Sequence, residues 1–321
     1  MSEILRRMGI GFGALVLLAG CGATPSGAAS TAPEEPMSIE FEDVREQVAA
    51  FMDTEDVLLT QGNFEGFGAL TTPDVFWFGP GSGHAASGRR EAVDAVRELF
   101  GAPDGLASLC SFCTPAQSVG ATGDRRAAWV AEEMPGTRMG PDGTATETAY
   151  RVTSFVIRDG DRWLVAAQHW SIGLEGNDAL AAGGETPAAL SDDVGPGADL
   201  LVRATDEALS SPEALEARIS ARPDVFVFGA GLNDRAEGGA AARRYVQAKV
   251  GDRAIRISRA GGVRAALAPG GNAGFVACNL DASVIVDGAR TTRTGRGLFV
   301  WLLEDDEWRI VQLHISRGSG D

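Results

Sequence analysis

The two halves of the chain show the same order of hydrophobic and polar patterns. Near the start of each half, apolar residues recur at the helical period, and in the first half they are Val44, Val48, Phe51, Met52, Leu58 and Leu59. Such a stripe predicts a long amphipathic helix with one buried face. A run of branched and aromatic residues follows and predicts a strand, and a glycine-rich turn leads to a second helix, predicted over residues 90–100 and 240–250.

Three or more further strands are predicted in each half, the last of them after a tight turn of acidic residues and glycine. Helices therefore come first and meandering strands come last. This order predicts the α+β class, with an antiparallel sheet in each half.

Short motifs show that the two halves are copies of one unit. The motif pairs are PDVFWFGPG at 73–81 with PDVFVFGAG at 223–231, AWVA at 128–131 with GFVA at 274–277, and DRWLVAAQHWS at 161–171 with EWRIVQLHIS at 307–316. Three motifs in the same order indicate an internal duplication. We therefore predict one domain over residues 38–173, a linker over 174–196 and a second domain over 197–318.

Two further motifs accompany the repeat: GRREA at 88–92, which opens a helix, and GDRW at 160–163, followed by a His-x-Ser strand end. Together these motifs resemble the SnoaL-like branch of the nuclear transport factor 2-like superfamily. The resemblance implies two cone-shaped domains, in each of which a curved sheet wraps around the long N-terminal helix and leaves a pocket. Because this superfamily includes isomerases, dehydratases, cyclases and non-catalytic binding domains, function has to be argued from the pocket.

The last strand of each repeat carries large apolar side chains on both faces. A sheet covered on one side by a helix should be polar on its other side, so a second cover is expected. We predict that the two repeats cover each other within one chain, as a pseudo-dimer that meets through Trp170 and Leu313 or Ile315. Independent domains, or pairing between two chains, are the alternatives.

The N-terminus has the features of an export signal. Arg6 and Arg7 precede an apolar run over residues 8–18, and the run ends in Leu-Ala-Gly-Cys at Cys21. This sequence resembles the lipobox of bacterial lipoproteins, which implies a signal peptide over residues 1–20 and a lipid anchor on Cys21. An ordinary signal peptide with a chance cysteine is the alternative.

Residues 21–37 are rich in Gly, Ala, Ser, Thr and Pro and predict a flexible tether. Glycine, not aspartate, follows Cys21, which by analogy with bacterial sorting rules favours the outer membrane. We therefore expect an extracytoplasmic, lipid-anchored protein.

Composition excludes several classes of partner. The chain has 28 basic and 44 acidic residues, a formal charge of -16, which argues against nucleic acid and anionic membrane surfaces as partners. No metal-ligand spacing is present, so neither a metal nor a cofactor is expected. Four cysteines are too few for a disulfide scaffold.

Cys110 and Cys113 form a Cys-x-x-Cys motif in a loop and not at a strand-to-helix junction, which argues against thioredoxin chemistry. A disulfide between the two cysteines and a pair of free thiols both remain open. Cys278 is expected to be a buried thiol on a strand.

Glu55 is the strongest candidate for chemistry because it falls within the apolar stripe of the first helix. An ionised carboxylate there is costly unless it is paired or close to water. Thr205 occupies the matching position in the second repeat, so the repeats differ where a pocket would lie. We predict that Glu55 meets His169 as an acid–base pair. A glutamate whose carboxylate reaches solvent is the alternative.

Further candidates for ligand contact come from the aromatic residues and from the repeat of the histidine. They are Trp77, Trp129 and Tyr150 in the first repeat and Thr205 and His314 in the second. His314 matches His169, which suggests a shared role in structure or in a pocket.

The sequence thus favours non-catalytic binding of a small hydrophobic or polar metabolite, or a role in assembly, because no established catalytic set is visible. The alternative is an enzyme of the isomerase, dehydratase or cyclase type, with Glu55 and His169 as acid and base. A third possibility is a purely structural protein in which side chains fill both pockets.

Overall fold

The computed structural model of the chain describes residues 43–101, 106–109, 117–139, 142–173, 186–231, 233–251, 255–286 and 289–317. The predicted signal peptide and tether, with Cys21, lie outside these ranges, as do Cys110 and Cys113. Within these ranges, no helix combines the length and the apolar character that crossing a membrane would require.

The first repeat consists of helices followed by a curved sheet. Its elements in chain order are α1 (Val44–Thr60), α2 (Phe64–Ala69), β1 (Thr71–Phe78), β2 (Ala85–Ser87), α3 (Arg89–Gly101), β3 (Leu106–Leu109), β4 (Ser118–Ala121), β5 (Ala127–Met139), β6 (Ala145–Asp159) and β7 (Arg162–Ile172). The strands are ordered β2-β1-β7-β6-β5-β3, and β4 also pairs with β5. Asp43 caps α1, since its side chain accepts a hydrogen bond from the backbone N–H of Arg45.

The second repeat has the same plan. Its elements are β8 (Asp193–Val194), α4 (Asp199–Leu209), α5 (Pro212–Arg218), β9 (Phe226–Phe228), β10 (Arg235–Glu237), α6 (Gly239–Val246) with a π-helical extension (Gln247–Gly251), β11 (Arg256–Leu267), β12 (Ala273–Val286), β13 (Ala289–Glu304) and β14 (Glu307–Ser316). The strands are ordered β10-β9-β14-β13-β12-β11-β8. β8 comes from the segment predicted as a linker.

The α+β class with two cone-like repeats is confirmed, but the sheets are mixed and not purely antiparallel. β1 runs parallel to β7, and β9 runs parallel to β14. The chain leaves β1 and returns beside it only after α3 and five other strands, and a connection of that length permits parallel pairing. The patterns alone did not reveal which strand β1 would join.

A β-bulge in each sheet decides which side chains point into the cone. The register shifts between Phe155 and Val156 in the first sheet and between Val300 and Trp301 in the second. A bulge adds one residue to a strand, so every later side chain changes face. The prediction that Trp170 and Leu313 or Ile315 join the repeats is therefore wrong.

Trp170 instead lies in the core of the first repeat and Leu313 in that of the second, where Ile315 also packs. The face towards the other repeat carries His169 and Ser171 on β7, and Gln312, His314 and Ser316 on β14.

The two sheets pack back to back through an apolar layer. Its larger members are Phe76, Phe78, Trp129 and Phe155 from the first repeat and Phe275, Leu298, Val300 and Val311 from the second. Trp129 was predicted to line the first pocket, which is wrong, because it points out of the cone. Its indole Nε1 donates to the backbone carbonyl of Asp224 at 2.8 Å, and Arg222 lies over the ring.

Two buried arginines cross between the repeats in a reciprocal manner. Arg151 donates to the carbonyls of Gly229 and Gly231, at 3.0 and 2.7 Å. Arg296, its counterpart in the second repeat, donates to the carbonyl of Gly81 at 2.7 Å. Each guanidinium group lies 5.2 Å from the ring of the phenylalanine just before the turn it reaches. The glycine-rich turn of each repeat is thus held by an arginine of the other.

At the centre of the interface, the rings of His169 and His314 stack with centroids 3.9 Å apart. His169 Nε2 is hydrogen-bonded to Ser316 Oγ, and His314 Nε2 to Ser171 Oγ, both at 2.7 Å. His314 Nδ1 also lies 3.0 Å from Thr153 Oγ1. The contacts are again exchanged between the repeats, as in an isologous dimer.

We predict that both histidine rings stay neutral in the folded protein well below pH 6.5. Burial, and then the charges of His314 and Arg296, hold the pKa of His169 well below the usual 6.5, and burial with the charges of Arg151 and Arg296 does the same for His314. The unfolded chain then takes up protons first, so stability is lost as the pH falls below 6.5, by at most about 1.4 kcal/mol per histidine and pH unit. Ring 15N chemical shifts would follow the titration, and protonation of either ring near its usual pKa in the folded state would contradict the prediction.

Candidate functional site

Three buried carboxyl groups meet inside the first repeat. Glu55 and Asp56 lie on α1, and Glu132 lies on β5 between the inward-facing Val130 and Met134. The three residues are 1%, 2% and 2% exposed. Strand alternation directs Glu132 inwards, and the helical stripe directs Glu55 against the sheet. We call these three residues the carboxyl cluster.

Two glutamine side chains donate hydrogen bonds to the carboxyl groups. Gln168 Nε2 donates to Glu55 Oε1 and to Ser154 Oγ, at 3.0 Å in both cases. Gln117 Nε2 lies 3.1 Å from Glu132 Oε2 and 3.2 Å from an oxygen of Asp53, one turn before the cluster on α1. The cluster is therefore held by amides and has no cation as a hydrogen-bonding or ion-pair partner among the described residues.

Burial without a counter-charge keeps protons on the cluster near neutral pH. Burial raises the pKa of Glu55 to about 7, against the opposing hydrogen bond from Gln168. Burial, and then the charge of Glu55, raise the pKa of Glu132 to about 8. Burial also holds the pKa of Asp56 well above its usual range, and the charges of Glu132, Glu55 and Asp53 add to this effect.

Several polar atoms of this interior lack a hydrogen-bond partner among the described residues. They are Glu55 Oε2, Asp56 Oδ2, Gln168 Oε1 and the indole Nε1 atoms of Trp77, Trp163 and Trp170. A buried polar group without a partner costs about 1–3 kcal/mol. Water or a ligand in this interior would supply the partners that these atoms lack.

The second repeat has apolar side chains at the positions of this polar network. By the repeat offsets and the strand registers, Cys278 corresponds to Glu132, Phe299 to Ser154 and Leu313 to Gln168. All three second-repeat residues belong to its hydrophobic core. Only the first repeat therefore has a polar interior.

The corresponding positions on α1 and α4 also differ between the repeats. Thr205, which corresponds to Glu55, is buried and donates to the backbone carbonyl of Leu201 at 2.8 Å. Asp206 corresponds to Asp56, but it forms an ion pair with Arg259 at 2.8 Å on the exposed side of its helix. Neither residue leaves an unpaired charge in the second core.

The structure separates the two members of the predicted acid–base pair. Glu55 lies inside the cone as expected, but its partner is Gln168 and not His169. Adjacent residues of a strand point to opposite faces, so His169 faces the other repeat. The prediction of a Glu55–His169 pair is wrong, because the bulge in β7 was not foreseen.

The remaining candidates divide between the core and the interface. Trp77 and Tyr150 are buried in the first core, where Tyr150 packs edge-on against Trp170. His314, like Trp129, faces the other repeat. Sequence reasoning missed Glu132, although a glutamate between Val130 and Met134 on one face of a strand was a visible signal.

Within the described residues, no group of three histidine, cysteine, aspartate or glutamate side chains is arranged to hold a metal ion. Cys278 is a buried free thiol whose pKa burial raises to about 12. Neither observation adds metal or thiolate chemistry to the carboxyl cluster.

Comparison with known proteins supports the duplicated fold. A family model described as a SnoaL-like domain matches residues 48–175 and again residues 204–318. No curated protein matches the chain significantly.

Among solved structures, the chain is similar to a ketosteroid isomerase-like protein from Erwinia carotovora atroseptica, at 19% identity over 41% of this chain and 98% of that chain, with a TM-score of 0.35. It is also similar to an NTF2-like protein of unknown function from Pseudomonas putida, at 18% identity over 41% and 89%, with a TM-score of 0.35. An uncharacterized protein with a cystatin-like fold from Caulobacter vibrioides shares 16% identity over 42% and 92%, with a TM-score of 0.35.

We predict that Glu132→Gln changes how stability depends on pH. The folded pKa of about 8 lies above the usual 4.5, so the stabilising proton on Glu132 is fully in place below pH 4.5 and its contribution is lost as the pH rises through 8. Glutamine keeps the shape of the side chain and removes the titration. Between pH 5.5 and 8.5 the free energy of unfolding should therefore fall less in the variant than in the wild type, with a difference of at least about 1 kcal/mol. Urea unfolding at several pH values measures this difference.

The control for this experiment is Glu147→Gln, which removes an exposed carboxylate from β6. It should follow the wild-type pH profile, and the histidine contributions are the same in all three proteins. Identical profiles for the wild type and Glu132→Gln would show that Glu132 is ionised in the folded state throughout this range.

Proposed function

Because this chain belongs to the SnoaL-like domain family through both of its repeats, we propose that it binds a small molecule in the cone of the first repeat. The observation that carries this proposal is the carboxyl cluster, whose buried oxygen atoms Glu55 Oε2 and Asp56 Oδ2 have no hydrogen-bond partner among the described residues. Ligand sites are typically apolar enclosures with a few convergent polar groups, which is the composition of this interior.

In this proposal, the second repeat binds no ligand and stabilises the structure of the first. Its own interior is filled by side chains such as Phe299 and Leu313, so it offers no comparable polar groups. Its sheet covers the back of the first sheet and supplies the carbonyl acceptors of Arg151. A fixed back wall keeps Gln168 and Ser154, on β7 and β6, in place against α1.

A second candidate function is acid–base catalysis inside the same cone. The burial of Glu55 beside Glu132 favours it, because burial raises the pKa of Glu55 to about 7 and a carboxyl group that titrates near neutrality serves as acid or base. Glu132 would be the second carboxyl group in place of His169. Conversion of a bound compound during incubation would distinguish catalysis from binding alone.

We propose in addition that the protein is an extracytoplasmic lipoprotein anchored through Cys21. This proposal rests on the lipobox-like sequence and the tether-like composition of residues 21–37. A lipid-anchored binding protein would hold the first cone outside the cytoplasm, where it meets solutes from the surroundings.

We predict that a panel of small neutral, cationic and anionic metabolites contains at least one compound that raises the melting temperature of the full chain. The double variant Ser154→Phe/Gln168→Leu gives the first cone the residues of the second and should lose this response, because the polar network is filled. Differential scanning fluorimetry measures the shift. The matched control Thr205→Val in the second repeat should respond as the wild type does, and no shift with any compound would contradict the proposal.

We predict that Cys21→Ser releases the protein from the membrane fraction of a bacterial host, since the serine side chain cannot accept the thioether-linked lipid. Fractionation followed by immunoblotting measures the distribution. Cys110→Ser should stay with the membrane, and a membrane-bound Cys21→Ser protein would rule out this anchor.

A further inference from the structure

We propose that the first cone binds a small organic cation, such as a protonated amine, with its charged group against Glu55, Asp56 and Glu132. This inference rests on the proposed function of the first cone and specifies the class of its ligand.

The first argument is the charge balance inside the cone. The carboxyl cluster places three acidic groups inside the cone, and the exposed Asp53 lies beside them; none of the four forms an ion pair in the part of the chain that the structure describes. Elsewhere this protein pairs its carboxylates with arginine, as Asp224 with Arg222 and Asp206 with Arg259. The carboxyl cluster has no such partner, so protons neutralise it near pH 7, and a bound cation would take their place.

The second argument is the kind of hydrogen bond left unmade. Glu55 Oε2, Asp56 Oδ2 and Gln168 Oε1 are buried and have no partner among the described residues. Gln168 is not an acid, and because its amide nitrogen contacts Glu55, its oxygen also lies at the cluster. The amide oxygen accepts hydrogen bonds and cannot donate them, so the missing group there is a donor. An ammonium group has three donors and no acceptor.

The third argument is the apolar part of the same interior. Trp77 and Trp170 belong to the core cluster that packs on α1, as does Trp163, whose ring already has the guanidinium group of Arg158 over it. Indole rings attract cations through their faces and provide apolar surface for the body of a ligand. Their unpartnered N–H groups would be met by an acceptor, such as a hydroxyl oxygen, at the other end of the molecule.

A bare metal ion fits these residues less well than an organic cation. No three acidic, histidine or cysteine side chains of the described chain are positioned around one point as metal ligands. The acceptors of an ammonium group lie about 2.7–3.2 Å from its nitrogen, farther than oxygen ligands lie from Mg²⁺ or Ca²⁺, so an ammonium group suits more widely spaced carboxyl groups.

Proton release is the expected signature of such binding. Gln168 on β7 donates to Glu55, and the charge of Glu55 acts on Asp56 of α1 and Glu132 of β5, as does the charge of Asp53. No basic side chain of the described residues contributes to the pKa shifts of Glu55, Asp56 and Glu132. With Glu55 titrating near 7 and Glu132 near 8, both are largely protonated at pH 6. A bound cation favours their ionised forms, so protons pass to the buffer and binding strengthens as the pH rises.

The experiment uses the full chain and three probes of one shape: tyramine as the cation, tyrosol as the neutral alcohol and 3-(4-hydroxyphenyl)propanoate as the anion. Isothermal titration calorimetry in two buffers of different ionisation enthalpy gives affinity and protons released. We expect tyramine to bind at least about tenfold more tightly than either analogue, and at least about tenfold more tightly at pH 8 than at pH 6. Glu55→Gln should weaken tyramine binding about tenfold, whereas Asp206→Asn, which removes a carboxylate from the corresponding helix of the second repeat, should not.

Tighter binding of tyrosol or of the propanoate than of tyramine would overturn the proposal of a cationic ligand. The first cone would still be a binding site. Failure of all three probes, when a neutral or anionic compound from the metabolite panel binds the wild type but not Ser154→Phe/Gln168→Leu and no cationic compound binds, would also overturn the proposal of a cationic ligand. Failure of every compound would overturn both proposals. If Glu55→Gln does not fold, as judged by circular dichroism, the order of the three probes and the pH dependence in the wild type decide the question.

Discussion

The reciprocal burial of Arg151 and Arg296 is the constraint on which the rest of this structure depends. A buried guanidinium group is costly unless its donors find acceptors, and here the acceptors are backbone carbonyls of the opposite repeat. At the centre of the interface, the rings of His169 and His314 stack on each other, so each histidine also needs the other repeat for its contacts. Either sheet alone would expose an apolar back and an arginine without the carbonyls to which it donates, although Arg151 also pairs with Glu133 of its own repeat. The two repeats therefore stabilise each other as one unit.

This constraint explains where the two copies have stayed alike and where they differ. Residues that face the interface occur in matched pairs, such as His169 with His314 and Ser171 with Ser316. The intervening residues on the same strands point into the cones, where Gln168 is matched by Leu313. Because alternate residues of a strand serve different surfaces, the interface can stay symmetric while one interior becomes polar and the other apolar.

The sequence was informative where periodicity governs structure and misleading where a single inserted residue does. The duplication, the helices and the α+β order follow from patterns repeated over many residues. The bulge in β7 has no such pattern, yet it reverses the face of every later residue on the strand. A prediction made without the bulge therefore placed His169 inside the cone, when it faces the other repeat. Glu132 was accessible to sequence reasoning, because a charged residue on the apolar face of a strand contradicts the pattern around it. Its proximity to Glu55 was not, because that depends on how the sheet curves around α1.

The second repeat also tests whether the polar interior of the first is needed for folding. If the carboxyl cluster served only to fill the cone, apolar side chains would do so at lower cost, since buried carboxyl groups must hold protons or pay for desolvation. The same fold in the same chain has adopted that solution, with Cys278 in place of Glu132 and Leu313 in place of Gln168. A purely structural role therefore describes the second interior well. The first interior retains the more costly arrangement, which argues that something other than folding maintains it.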